Sequence, residues 1–241
     1  MVKNITNILY DKKIISDLKF VDKSRDIVCW SKRSKYRIYI PKNVTKQISY
    51  LSGVIVGDGN VSITKRKITK YPRTKIRIFN KSEKFLKYVN NEFYNTFKIG
   101  GYISKKKDKN CYILTINNKI INLYFIKIIG LQSTKKKNLK IPYILTNSRL
   151  FKYFIAGLFD TDGFRTDTYG IMMNGSNYDF LKDIKRLLNK FYGIESRKIY
   201  YGYIDTKTGQ RERTQFQIKS KSMERFINIV PLKHNRYGPV V

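Results

Sequence analysis

Two aspartates, Asp58 and Asp162, carry the clearest sign of chemistry in the chain, because each closes an apolar segment and precedes a glycine. The first lies in YLSGVIVGDGN, residues 50–60, and the second in FIAGLFDTDGF, residues 154–164. Such an apolar run reads as a buried helix, and the glycine after it as a left-handed cap. Both acids then fall in a last turn, beside the partial negative charge of a helix C-terminus, where a carboxylate is disfavoured unless something positive sits with it. The second copy adds Asp160, whose counterpart is Val56; it is expected to be a local hydrogen-bonding group and not half of a pair. One histidine, His234, and two cysteines, Cys29 and Cys111, exclude a His-rich metal site and a zinc framework and argue against histidine-based hydrolysis. The remaining chemistry is that of carboxylates, lysines and a metal, and oxygen ligands favour Mg2+ over zinc.

The elements that position these acids recur with them. Gly53 and Gly57 in the first motif, and Gly157 and Thr161 in the second, lie at i and i+4, so each helix carries a stripe of small residues on one face. If the stripes pack on each other, the helix ends coincide and Asp58 meets Asp162. Each motif is followed by a strand end and an amphipathic helix, with Phe85, Leu86 and Val89 in one copy and Phe180, Leu181 and Ile184 in the other. Alternating segments complete the pattern: in TKIRIFN, Ile76 and Ile78 face a core while Lys75 and Arg77 face out, and in TQFQIKS, Phe216 and Ile218 face in while Gln215, Gln217 and Lys219 face out. Each half therefore reads helix, two strands, helix, two strands, helix. The expected boundaries are a basic extension of no readable role over 1–40, a first repeat over 41–147 and a second over 148–241.

Fifty Lys and Arg against 17 Asp and Glu give a net charge of +33, spread along the whole chain. A polyanion is the partner that such an imbalance implies, and antiparallel sheets can offer it one polar face. The candidate contacts are Lys65, Arg66, Lys75, Arg77, Lys105 and Lys107 in the first half. In the second they are Arg165, Arg197, Lys198, Tyr200, Arg211, Arg213, Gln215, Gln217 and Lys219. No segment has the length and apolarity to span a membrane, and the N-terminal stretch lacks a signal-peptide core, so a soluble intracellular protein is expected, in a microbe or an organelle.

LSGVIVGDG (51–59) and IAGLFDTDG (155–163) resemble the two signature helices of a single-chain LAGLIDADG homing endonuclease. The resemblance covers about residues 41–241. It implies an α+β fold of two pseudo-twofold related αββαββα repeats, with antiparallel β saddles straddling double-stranded DNA, acting as a monomer. It also implies that Asp58 and Asp162 bind catalytic Mg2+, for which Mn2+ can substitute, assisted by the backbone carbonyls of Gly57 and Thr161. Asn80 and Lys81 match the polar residue and lysine that tune the water and phosphate, while Asn174-Gly175 stands where the second such pair is expected. The implied reaction is a staggered double-strand break. Three alternatives share the fold: an RNA maturase that assists intron splicing, a non-catalytic DNA-binding regulator, and an intein. His234-Asn235 resembles a C-terminal splice dipeptide, but Arg236 follows where a nucleophile is required.

Overall fold

The structure is a computed structural model that describes residues 18–31, 36–64, 73–106, 110–132, 139–167, 170–175, 177–206 and 209–234. Helix α1 (Lys46–Asp58) begins where the Thr45 hydroxyl caps the Ile48 amide at 3.3 Å. It runs directly into an antiparallel hairpin, β4 (Gly59–Thr64) and β5 (Arg73–Asn80). Ser82 then caps α2 (Glu83–Phe97) through the Phe85 amide, followed by β6 (Tyr102–Lys105) and β7 (Tyr112–Ile116). The short α3 (Lys119–Leu123) continues as a π-helical turn (Tyr124–Ile129).

The order then repeats. Asn147 caps α4 (Ser148–Asp162), which leads into β8 (Gly163–Thr166) and β9 (Gly170–Gly175). Asn177 caps α5 (Tyr178–Tyr192), and β10 (Tyr200–Thr206), β11 (Gly209–Gln217) and α6 (Ser220–Ile229) complete the second half. Such caps each contribute about 1 kcal/mol. The two four-stranded sheets have matching orders, β4-β5-β7-β6 and β8-β9-β11-β10, with every pairing antiparallel. This is the α+β architecture that the alternation and the doubled motif predict.

Residues 18–41 depart from the expectation of a featureless basic extension. They form a third antiparallel sheet, β1 (Leu18–Asp22), β2 (Asp26–Ser31) and β3 (Ile38–Pro41), whose Ile27, Cys29, Ile38 and Ile40 join the common core. Cys29 is fully buried there, which pushes its thiol up to about 11 and leaves it a small core hydrophobe.

Helices α1 and α4 have unlike neighbours from the rest. Ile48 through Gly57 are all buried, and in α4 so are Phe154 through Thr161, because these two helices pack on each other as well as on the sheets. Their backbones approach closely. A Cβ on Gly53 would stand 2.0 Å from the Phe154 carbonyl oxygen, and one on Gly157 would stand 2.1 Å from that of Tyr50. These contacts exchange under the same shift of 104 residues that relates the two motifs, so the packing is itself pseudo-twofold.

The glycines after the helices differ from the left-handed caps expected. Gly59 (φ −98°, ψ 168°) and Gly163 (φ −84°, ψ 159°) are extended and open strands β4 and β8. Proximity explains Gly59, where a Cβ would stand 2.5 Å from the Ile55 carbonyl oxygen of the preceding turn.

Candidate active site and nucleic-acid interface

Asp58 and Asp162 are the last residues of α1 and α4 and both are half-buried. The glycine-to-backbone packing carries these two ends together: Asp162 Oδ2 lies 3.3 Å from where a Cβ on Gly57 would stand. Among the described residues no cluster of three or more His, Cys, Asp or Glu side chains forms, so at this point the fold supplies two carboxylates and main-chain oxygens. That donor set suits a hard divalent cation, whose remaining positions can be taken by water and phosphate oxygens. The Thr161 side chain serves packing instead. Its hydroxyl donates within its own helix, 2.8 Å from the Leu158 carbonyl and 3.2 Å from that of Gly157, and it fills the space over Gly57.

Asn80 ends β5, is almost fully buried, and donates from Nδ2 to Asp58 Oδ2 at 2.8 Å. Its Oδ1 accepts from the Ser82 amide at 2.9 Å, which orients the carboxamide so that its NH2 faces Asp58. Lys81, the next residue, is exposed.

The strand register corrects the counterpart in the second half. Gly59 pairs with Ile78, and Gly163 with Met173, so the residue two beyond Ile78 corresponds to the residue two beyond Met173. Asn80 therefore corresponds to Gly175, and Asn174 stands on the opposite face, in register with Gln215. In sequence Lys81 then corresponds to Ser176, which lies outside the described residues. Gly175 brings no side chain to the rung equivalent to the one from which Asn80 reaches Asp58.

The same registers sort the candidate contacts. Opposed residues in an antiparallel pair share a face. Asn60, Ser62, Lys75 and Arg77 form one polar group on the first sheet, with Asn60 opposite Arg77 and Ser62 opposite Lys75. On the second sheet Tyr200 is opposite Gln215, and Arg213 and Gln217 alternate with buried Thr214, Phe216 and Ile218. Arg197 and Lys198 are exposed in the approach to β10.

Two candidates fall on the other face. Lys105 pairs with Tyr112, which pairs with buried Asn80, and Arg165 pairs with buried Ile171; both therefore point to the helix side at strand ends. Lys219 immediately precedes α6 and binds Glu195 at 2.7 Å, which holds it at the sheet margin. Lys65, Arg66, Lys107 and the Arg211 side chain lie outside the described residues. Asn60 and Ser62 were missed, although their alternation with buried Val61 in GNVSIT is the signal that finds them.

Asp160 is also more than a local acceptor. Fully buried, it receives Tyr50 Oη at 2.8 Å from the other repeat, and the amides of Lys233 and His234 at 2.8 and 3.1 Å. The His234 ring lies 4.9 Å from that of Phe85, between centroids. Burial outweighs these hydrogen bonds and pushes the Asp160 carboxyl up to about 6.

Two related repeats, joined by close-packed helices that end in a carboxylate pair and each backed by a four-stranded antiparallel sheet, define the architecture of the LAGLIDADG homing endonucleases. The LAGLIDADG-like domain model matches residues 45–130 and 152–231, and the chain belongs to this family. Similar solved structures include I-DmoI in complex with DNA and Mn, 21% identical with a TM-score of 0.59, covering 80% of this chain and 99% of that one. I-DmoI with DNA and Ca is also 21% identical (TM-score 0.56; 78% and 91%), and I-WcaI bound to its DNA recognition sequence is 16% identical (TM-score 0.50; 81% and 83%). At these identities the likeness is one of fold. A glutamine--fructose-6-phosphate aminotransferase of Methanocaldococcus jannaschii is 28% identical over 158 residues, 64% of this chain but 13% of that protein's length. The chain thus spans a small part of that curated relative.

Proposed function

We propose that the protein is a site-specific DNA endonuclease that makes a staggered double-strand break by metal-dependent phosphodiester hydrolysis, in support of intron homing. The observation that carries this reading is the meeting of Asp58 and Asp162 at the coincident ends of two close-packed helices, with a polar strand face on each side. Asp58, Asp162 and the main-chain carbonyls of Gly57 and Thr161 would hold a divalent cation of the Mg2+ or Mn2+ type. Bound there, the ion would acidify a water and neutralise charge on the leaving oxygen.

The protein's own groups do the rest. Asn80, locked by the Ser82 amide, keeps one Asp58 oxygen in place and so orients the carboxylate. Lys81 reaches from the end of β5 toward a scissile phosphate and stabilises its developing charge. Lys75, Arg77, Asn60 and Ser62 in one half, with Tyr200, Arg213, Gln215 and Gln217 in the other, set the register on duplex DNA through phosphate and base-edge contacts. Because the repeat already supplies both halves of the binder, one protein molecule occupies one site.

The test is to enrich tightly bound duplexes from a randomised library, add Mg2+, and resolve both strands on a denaturing gel. The proposal expects cuts at offset positions on the two strands and one protein per duplex in sedimentation. A protein that binds its selected duplex and leaves it whole in both Mg2+ and Mn2+ would refute the nuclease reading.

A further inference from the structure

At the ends of α1 and α4 opposite their carboxylates, about 20 Å away at 1.5 Å per residue, lies a groove of about 2210 Å3. It is bounded by the starts of α1 and α4, the π-helical turn, the Tyr143–Leu145 turn and the last turns of α5. We infer that this groove is a second nucleic-acid site, built for a single strand and separate from the duplex-binding sheets.

Charge is the first ground. Among the described residues no aspartate or glutamate lines the groove, whereas Lys127, Lys140, Arg149, Lys152 and Lys190 do, and none of these five forms an ion pair with a described residue. Lys42 and Arg186, also at its wall, are held by Asp22 and Asp183. A concave wall of one sign concentrates potential more than the same charges on a convex surface, so the +33 background does not make all surfaces equal.

Aromatic rings are the second ground, and they choose the kind of polyanion. Tyr143 is 89% exposed on a short turn after Pro142, the most exposed of the large apolar side chains among the described residues. Half-buried Tyr153 and Phe191 line the same groove beneath the ammonium groups of Lys152 and Lys190, at 5.4 and 5.9 Å from the ring centroids. A duplex keeps its base faces stacked inside and offers a ring nothing to cover. An unpaired strand offers both phosphates and base faces, the combination that cationic grooves with tyrosine platforms bind. An acidic peptide would satisfy the lysines and leave Tyr143 unused.

The experiment uses the full chain with its sheets saturated by an excess of unlabelled mixed-sequence 30-base-pair duplex. Fluorescein-labelled 15-nucleotide oligouridylate and oligothymidylate are then titrated by anisotropy. The inference expects strand binding to persist in the presence of duplex and to weaken at least tenfold in Tyr143→Ala. In Lys140→Ala/Arg149→Ala, the slope of log affinity against log salt should fall by about 1.4, near 0.7 for each lost phosphate contact. Duplex affinity and duplex cutting should stay within twofold in both variants, and the thermal midpoint should hold, because Tyr143, Lys140 and Arg149 are exposed. Preference for the ribo- or deoxyribo-oligomer would identify the source as RNA or DNA. Displacement of the strand by duplex, unchanged strand affinity in both variants, or equally effective competition by polyglutamate would overturn the inference. Loss of duplex cutting in the parent protein would bear on the proposed nuclease and leave this result standing.

Discussion

Replacing Gly157 by alanine puts a methyl group where no space exists. Its Cβ would stand 2.1 Å from the Tyr50 carbonyl oxygen and 2.8 Å from the Val54 nitrogen, both main-chain atoms of the facing helix. Restoring an ordinary contact near 3.4 Å requires α1 and α4 to separate by about 1.3 Å, because no side chain can swing away. Overpacking against backbone at a fully buried helix pair costs about 3 kcal/mol, the upper part of the range for added core methylenes. The same separation moves Asp58 and Asp162 apart, and a shift of about 1 Å commonly costs a hundredfold in rate. Urea denaturation and a cleavage time course on selected duplex read the two effects. Gly53→Ala should behave alike, since its Cβ would meet the Phe154 carbonyl oxygen at 2.0 Å. The double variant should lose less than the sum, because one separation relieves both clashes. Stability of either single variant within about 0.5 kcal/mol of the parent would refute the close packing itself.

Asp160→Asn should remove a pH dependence. The native protein keeps the Asp160 proton up to about pH 6, whereas an ordinary aspartate releases it at 3.8. The stability this group contributes is therefore fully present below pH 3.8 and lost as pH rises through 6, by roughly 3 kcal/mol. Plotted from pH 4 to 8, the parent-minus-variant difference in unfolding free energy should fall by that amount, and a flat plot would contradict the assignment. Asn80→Ala deprives Asp58 Oδ2 and the Ser82 amide of their partner, so it should cost about 1–3 kcal/mol of stability. It should also slow cutting of one strand more than tenfold, read on end-labelled duplex, with binding retained. Lys81→Ala should slow one strand about a hundredfold and accumulate nicked plasmid, and equal slowing of both strands would remove Lys81 from the site.

The doubled motif made the helix pair and its two acids readable, because small residues at i and i+4 followed by Asp-Gly leave few other uses for a buried helix. The αββαββα order was equally readable from Ile76, Ile78, Phe216 and Ile218, whose alternation fixes which strand face is buried. Register was not. Asn174 looks like Asn80 because both are asparagines before a helix, yet the shorter second hairpin places Gly175 at the equivalent rung. The faces of Lys105 and Arg165 also follow only from register, since one residue of slip reverses a side chain. The sheet over 18–41 was hidden by its lysines, although Ile27, Cys29, Ile38 and Ile40 already alternate in sequence. No local pattern could place Asp160 against Tyr50 and the Lys233 amide, for these contacts join residues 110 and 73 positions apart.

The decisive measurement is cleavage of each DNA strand by Asp58→Asn and by Asp162→Asn, made beside duplex binding under the same Mg2+ concentration. Either substitution should abolish double-strand breakage while the duplex is bound as tightly as before, or more tightly, because a carboxylate has been removed beside the DNA phosphates. Double-strand cutting at the parent rate by either variant would contradict this and would place the reaction on other residues.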